Sequence, residues 1–403
     1  MFLQLLPVPA RSRKSRLLFL AAAAALAIVF LVAAFRALPE FPYTFRPKPV
    51  GKESLGDQAG NATLGFQKIL ALSTHPSWRT RGLQTAANLS GLAIDIPTQP
   101  RTPEAFVEAF RSIGANDPNI RTPDLGSSRA WLAHLDLLKY VVAAGYETAL
   151  IVEDDVDWDV RVKEQMRLIS STVRRFVRAE EAGERKVKTQ EDGDGEKRDT
   201  EKRGEGKERG ERKGVGGESE RPFTTTWDIL WLGHCGATFS PSSDPHLSFI
   251  DSTVCPPEQY TGWWAPSLRL TIPPAQRVLQ RAGRTTVCTF AYAVTFRGAQ
   301  NILSLLGSGG GEAFDVQLST RCRDRELDCL LVNPQVFQHY EPPVNMGASS
   351  LIRLANGLVE GVDEGVFEGE MGGTGNIERS ARCEALFGRR CLRRFWGDEE
   401  GEE

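Results

Sequence analysis

The side chains with the greatest chemical potential are Glu153, Asp154, Asp155, Asp157 and Asp159, five carboxylates within seven positions, directly after the apolar run Ala149-Leu150-Ile151-Val152. Four apolar residues soon after Gly145 read as a buried strand. In an α/β sheet, the residues just past the carboxyl end of such a strand reach the ligand-binding edge. Like charges gathered in one site force either protonation or a counter-cation. A hard divalent ion that takes carboxylate oxygens and also touches a phosphate meets that need. The competing reading is structural: a solvated turn leading into a helix from Val160, with Asp157 or Asp159 as its cap and acids favoured in its first turn by the macrodipole.

The elements that must position these acids follow from periodicity. Lys68 to Ser73 reads as a first buried strand, Arg81 to Ser90 as a helix and Leu92 to Ile96 as a second strand. Ser127 or Ser128 caps a helix in which Trp131, Leu135, Leu138 and Val142 share a face, and Gly145 ends it. That helix feeds the acid-tipped strand, and another runs from about Val160 to Phe176. Downstream come a strand from Trp227 that ends in His234-Cys235 between two glycines, a strand over Val287 to Thr295, a helix over Arg297 to Leu306 and a last strand at Cys329 to Val332. The alternation predicts an α/β fold with a largely parallel sheet. Asp315 follows the glycine run at 307–311 and opens a helix, where it is either the cap or an acid available for chemistry. His134 borders the apolar face of its helix and reads first as a core histidine. His234 sits where it could contact phosphate or metal. His75 and His339 have no informative context, and Trp263-Trp264 reads as core before it reads as a sugar platform.

Around this unit the composition changes. Residues 17–35 are nineteen without charge or proline, preceded by Arg11, Arg13, Lys14 and Arg16, which predicts a transmembrane anchor with residues 1–16 cytosolic and everything after it on the far side. A cleaved signal peptide with Val32-Ala33-Ala34 as its site is the rival. Residues 36–64 read as a stem, 65–343 as the globular domain and 344–403 as a flexible tail. Within the domain, 178–221 hold 27 charged side chains among 44 and only four apolar ones, too few to build a core, so a disordered insertion is expected. The formal net charge of -3 argues against a nucleic-acid partner. All seven cysteines lie beyond the anchor, so some disulfides are expected, with at least one thiol left over. Asn61-Ala62-Thr63 and Asn88-Leu89-Ser90 are glycan acceptor sequons.

With these residues assembled, the chain resembles glycosyltransferase family 25, which includes lipooligosaccharide and collagen galactosyltransferases. The resemblance covers about Gly65 to Pro343 apart from the insert. It is carried by KILALS with Arg79 and Arg81, by Gly126, Trp131 and His134, by ALIVEDDVDWD, and by Phe290-Ala291-Tyr292 with Gly298. The first loop departs from the family pattern, lacking an acidic residue between its basic ones. The resemblance implies a GT-A-like, Rossmann-type sheet flanked by helices that binds a nucleotide sugar with Mn2+. It implies Asp155 as metal ligand, with Glu153 and, more weakly, Asp157 beside it; His234 is a further metal candidate from its position alone. Arg79, Arg81, Glu153, Asp154 and His134 would contact the nucleotide sugar. Asp315, or alternatively Glu312, would act as the base toward the acceptor. The expected activity is transfer of a hexose, galactose first, from a UDP-sugar to a hydroxyl of a glycan or glycoprotein. The expected setting is the Golgi or endoplasmic reticulum membrane, as a single-pass type II protein with its catalytic domain lumenal. The alternative is a catalytically silent lumenal protein that binds nucleotide sugars or a partner.

Overall fold

The computed structural model describes residues 54–118, 120–194, 221–242, 245–262, 264–283, 286–341 and 369–393. All fall in one compact unit that begins at Glu53. The expected tail at 1–16, the anchor at 17–35 and the stem up to residue 53 lie outside the described residues, as do 195–220 of the insert. Among the described residues no helix is long and apolar enough to cross a membrane.

The chain is mixed α/β, with helices on both faces of a large sheet. In order, its elements are α1 (Leu55–Ala59), β1 (Lys68–Leu72), α2 (Trp78–Ser90), β2 (Ile94–Asp95), α3 (Glu104–Arg111), α4 (Leu125–Ala144), β3 (Thr148–Glu153), β4 (Val156–Trp158), α5 (Val162–Asp194) and β5 (Ile229–Gly233). There follow β6 (His246–Ile250), α6 (Ala265–Thr271), β7 (Gln276–Arg281), β8 (Ala291–Thr295), α7 (Phe296–Leu306), α8 (Phe314–Arg323), β9 (Cys329–Asn333), β10 (Phe337–Glu341), β11 (Gly373–Thr374), α9 (Ala381–Phe387) and β12 (Leu392–Arg393).

Strand β1 pairs in parallel with β2 on one side and β3 on the other, with Leu72 opposite Glu153. The expectation of a largely parallel sheet is corrected: β8 runs antiparallel between β3 and β5, and although β9 lies parallel to β5, β7 and β6 continue beyond it with antiparallel pairs. Alternation along β3 explains why both faces are covered. Leu150 and Val152 join a core with Leu83 and Ala86 of α2 and with Met166 and Ile169 of α5. Ala149 and Ile151 face Trp131, Leu135 and Leu138 of α4 and Ile302 of α7. Each fully buried Leu, Ile or Val in this strand contributes about 1.5–3 kcal/mol relative to exposure. Gly298 lets the first turn of α7 lie directly against the Asp228 carbonyl, where any Cβ would collide.

Several local expectations are revised. Helix α4 starts earlier than expected, capped by Asp124, whose carboxylate accepts the Ser127 N–H at 2.7 Å. Gly145 ends that helix in the left-handed conformation, φ 68°. Ala59 and Leu64, assigned to the stem, are fully buried in the core. Helix α5 continues to Asp194, into the charged insert, and Glu180 is tied to β7 by Arg281 Nε at 3.0 Å. The insert begins with good helix formers, Arg, Ala, Glu and Lys, which explains the extension. The tail is not uniformly flexible either: 369–393 carry two strands and a helix beside the Cys383–Cys391 disulfide. The other disulfides are Cys235–Cys288 and Cys322–Cys329, and buried Cys255 takes no part in one.

Candidate metal centre at the sheet edge

The acids reach the sheet edge because β3 ends at Glu153 and the chain turns through Asp154-Asp155 into β4. The short strand β4 pairs antiparallel with β10, Val156 standing opposite His339. The Tyr340 N–H donates to the Asp155 carbonyl at 2.9 Å, which closes the turn against the strand bearing His339. A histidine with no informative context in the sequence is thereby set among the acids.

Glu153, Asp155 and His339 each offer a ligand atom, all within 4.8 Å of one another. His339 Nε2 lies 3.6 Å from Glu153 Oε2 and 3.7 Å from Asp155 Oδ1. Asp155 Oδ1 and His339 Nε2 are both buried and hydrogen-bonded to nothing. Buried polar atoms without a hydrogen bond cost free energy, and these two, an ion pair only when His339 is protonated, stand where a cation could bridge them. Two carboxylates and an imidazole form a donor set suited to a divalent cation, and the triad can hold one.

The surroundings fix these ligands. Arg79, nearly buried on α2, lies 3.4 Å from Asp154 Oδ1 and donates to the other oxygen of Asp155. Helix α2 presents Arg79 because Ser77 forms a capping box with Thr80 just before it. Ser73, one residue past β1, donates to Asp154 at 2.6 Å. Burial alone would raise the Asp155 pKa, but the charges of Arg79, His339 and Arg382 outweigh it and hold the carboxyl below its ordinary value. Burial and the neighbouring Asp155 push Asp154 up, against Arg79 and Ser73. For His339, burial opposes the cation, yet Asp155 and Glu153 prevail and raise its pKa.

Glu153 is held from the opposite side. Thr289 Oγ1 donates to Glu153 Oε1 at 3.3 Å and lies 3.2 Å from His134 Nε2, while His134 Nδ1 is 3.0 Å from the Tyr292 hydroxyl. Burial lowers the His134 pKa to about 4, with Glu153 opposing. A neutral imidazole with its proton on Nε2 satisfies every link: Tyr292 donates to His134, His134 to Thr289, and Thr289 to Glu153. His134 therefore acts on the site through Thr289, and its ring is stacked on Phe314 at 4.6 Å.

The remaining expected residues fall elsewhere. His234 as a metal ligand is corrected: its Nδ1 accepts the Gly236 N–H at 3.0 Å and its Nε2 lies 3.0 Å from the Val332 carbonyl, leaving no nitrogen to coordinate. Asp157 as a metal ligand is corrected likewise. Fully buried, it accepts from Ser380 Oγ and from the Arg382 and Trp158 N–H groups, and so joins the C-terminal segment to β4. Arg81 is exposed on α2, and Glu312 is exposed with Arg121 as its partner at 3.4 Å. Asp315 is not the cap of α8, which is Ala313; it accepts from the Cys288 N–H at 2.7 Å and the Val316 N–H at 2.9 Å. Burial raises its pKa against those two donors, and the Glu153 charge adds to the rise, so the two carboxylates feel one another. Trp264 packs on a satellite core, and Trp263 lies outside the described residues.

No protein-family model matches the chain, and no curated protein matches it. Sequence reasoning missed His339, Ser73, Thr289 and Arg382. For His339 the available signal was a polar residue between Phe337 and Tyr340, in a short segment following the apolar strand at 329–333.

Proposed function

We propose that this chain is a metal-assisted glycosyltransferase that moves a hexose, with galactose the first candidate, from a nucleotide-diphosphate sugar such as a UDP-sugar to a hydroxyl of a glycan or glycoprotein. The observation that carries the proposal is the convergence of Glu153, Asp155 and His339, two of whose ligand atoms make no hydrogen bond, at the carboxyl end of a central strand. That edge is where α/β sheets receive their ligands. Family 25 resemblance supplies the substrate class, a GT-A-like form of the sheet and Mn2+ as the ion. A bound divalent cation would supply positive charge to the departing diphosphate.

The chain's own residues divide the remaining work. Asp155 and His339 offer their free atoms to the ion, while Arg79 holds Asp155 in place and adds positive charge beside the phosphate position. His134 and Thr289 keep the Glu153 carboxylate oriented. Asp315, whose basicity is raised by burial, takes the acceptor hydroxyl's proton as the new glycosidic bond forms and the diphosphate leaves with the old bond's electrons. Residues 17–35 would anchor the enzyme in a Golgi or endoplasmic reticulum membrane with this domain lumenal. The second reading, a silent nucleotide-sugar-binding protein, draws on the Arg79 ion pairs, which already offset part of the charge of Asp154 and Asp155.

The test is UDP release by the purified full chain across a panel of donor sugars, with Mn2+ or with chelator, beside Asp155→Asn. Turnover that requires Mn2+ and falls on the order of 100-fold in the variant is expected, the scale of losing one preorganised electrostatic group. Nucleotide-sugar binding without release for any donor would replace the enzyme by the silent binder.

A further inference from the structure

The residues that hold the metal triad have a common neighbour, the segment at 371–391. Arg382 is fully buried, a costly position for a guanidinium unless its donors are engaged, and here Nη1 and Nη2 are engaged while Nε makes no hydrogen bond. Its Nη2 donates to the carbonyls of Asp154 and Val156, at 2.9 and 3.1 Å, on either side of Asp155, and its Nη1 to the carbonyl of Arg79 at 3.1 Å. Gly82 leaves room for that guanidinium, since a Cβ there would occupy the place of Arg382 Nη1. Ser380 and the Arg382 N–H both engage the Asp157 carboxylate, and the Arg379 N–H donates to Asp159 at 2.9 Å. The strand bearing His339 is held from the same side: Thr374 Oγ1 donates to the His339 carbonyl at 2.8 Å, and the Gly372 N–H donates to the Tyr340 hydroxyl at 2.7 Å. Met371 and Cys383 form a small apolar core with Trp78 and Tyr340, the residues adjoining Arg79 and His339. Arg382 also lies over the Tyr340 ring, 5.3 Å from its centroid.

We infer that the segment at 371–391 is a clamp that sets the geometry of the metal centre, with Arg382 as the positioning residue for the turn bearing Asp155 and the Cys383–Cys391 disulfide as the staple that keeps the clamp shut. Three chain stretches remote in sequence, at 79, 154–156 and 339–340, touch one another directly and each also touches this one segment. None of the clamp's residues offers an atom to the ion, and its effect passes through backbone carbonyls and neighbouring rings. The inference rests on the metal-centre reading for its consequence, while the mechanical link can be measured without metal.

The experiment uses the full chain and Mn2+ alone as probe, with affinity read by electron paramagnetic resonance of free against bound ion. Arg382→Met should weaken Mn2+ binding about 10- to 100-fold, the usual cost of losing an outer-shell partner. Arg382→Lys, which keeps one donor, should recover part of the loss. Should Arg382→Met not fold, the double variant Cys383→Ser with Cys391→Ser is expected to act in the same direction and carries the test. Metal-free backbone hydrogen exchange is the second readout: in the variants, 153–158 and 337–341 should lose protection while 68–72 and 148–152 keep theirs. Unchanged affinity and unchanged exchange in folded variants would overturn the clamp. If the wild type binds no Mn2+ but exchange at 153–158 still rises, the mechanical clamp stands and the metal reading of the site fails.

Discussion

Acidification separates the structural histidines from the candidate ligand, and the size of the effect follows from the fold. His234 is wholly enclosed, its Nδ1 accepting from Gly236 and its Nε2 facing the Val332 carbonyl, and burial lowers its pKa from 6.5 to about 4. The unfolded chain takes up this proton near pH 6.5, whereas the folded chain does so only near pH 4. Between those values the unfolded state holds more protons, so the stabilisation is fully present above pH 6.5 and is lost as pH falls toward 4. The loss on going from pH 7 to pH 4 is about 3 kcal/mol, a large part of the ~5–15 kcal/mol that holds a domain folded. The perturbation to make is His234→Gln, which removes the titrating ring and keeps an amide that can donate toward Val332. Urea unfolding of wild type and variant, in chelator, at intervals from pH 7 to pH 4 gives the difference between them, in which carboxylate titrations common to both cancel. The wild-type advantage should shrink by about 3 kcal/mol across that range. A difference that stays flat with pH, or a folded-state titration of His234 near its unfolded value, would refute the account of this histidine as a neutral, doubly bonded strut.

Three further outcomes follow. Thr289→Val removes the link between His134 and Glu153 and leaves a buried imidazole N–H without its acceptor, so unfolding measurements should show a loss of about 1–3 kcal/mol and Mn2+ affinity should fall in parallel. Asp315→Asn should lower transfer to acceptor by about 10²–10⁴-fold while leaving Mn2+ affinity as it was, the signature of a lost base; an equal loss in both would move Asp315 from the acceptor side to the metal side. Gly298→Ala forces a Cβ into the Asp228 carbonyl and should cost about 1–3 kcal/mol in denaturant titration, and an unchanged midpoint would mean that α7 shifts freely.

The half of the site nearest β3 was legible because local signals agree there. The apolar run at 149–152 fixes a strand, Gly145 ends the preceding helix in the left-handed conformation, and a strand that stops at Glu153 must present the next acids at its carboxyl end. What pattern does not carry is pairing over distance. The antiparallel direction of β8 was missed because alternation of strand and helix says nothing about direction once a long irregular segment intervenes between elements. His339 was missed because its place depends on β10 lying against β4, with Gln338 opposite Asp157. Asp157 and His234 were given ligand roles on residue type and position, and both spend their polar atoms on hydrogen bonds that only the tertiary structure creates.

The same distances bear on how the site comes into being. Ser73 and Asp154 are 81 residues apart, Arg79 and Asp155 are 76 apart, and Arg382 reaches back 228 residues to Asp154. Each of these contacts must offset the loop-closure entropy of a long intervening chain, which grows only slowly with length but is met in full before the contact forms. A pre-formed sheet edge removes most of that cost, because β1 and β3 already lie side by side when Ser73 meets Asp154. Arg382 has no such help from the parallel sheet, since its segment reaches the edge through β11 on β10, through α9 near α2 and through its bonds to Asp157 and Asp159. A paired strand, a small apolar core and a local disulfide all act on this segment, which is the reinforcement expected where a buried arginine completes a cluster of like charges that would otherwise repel.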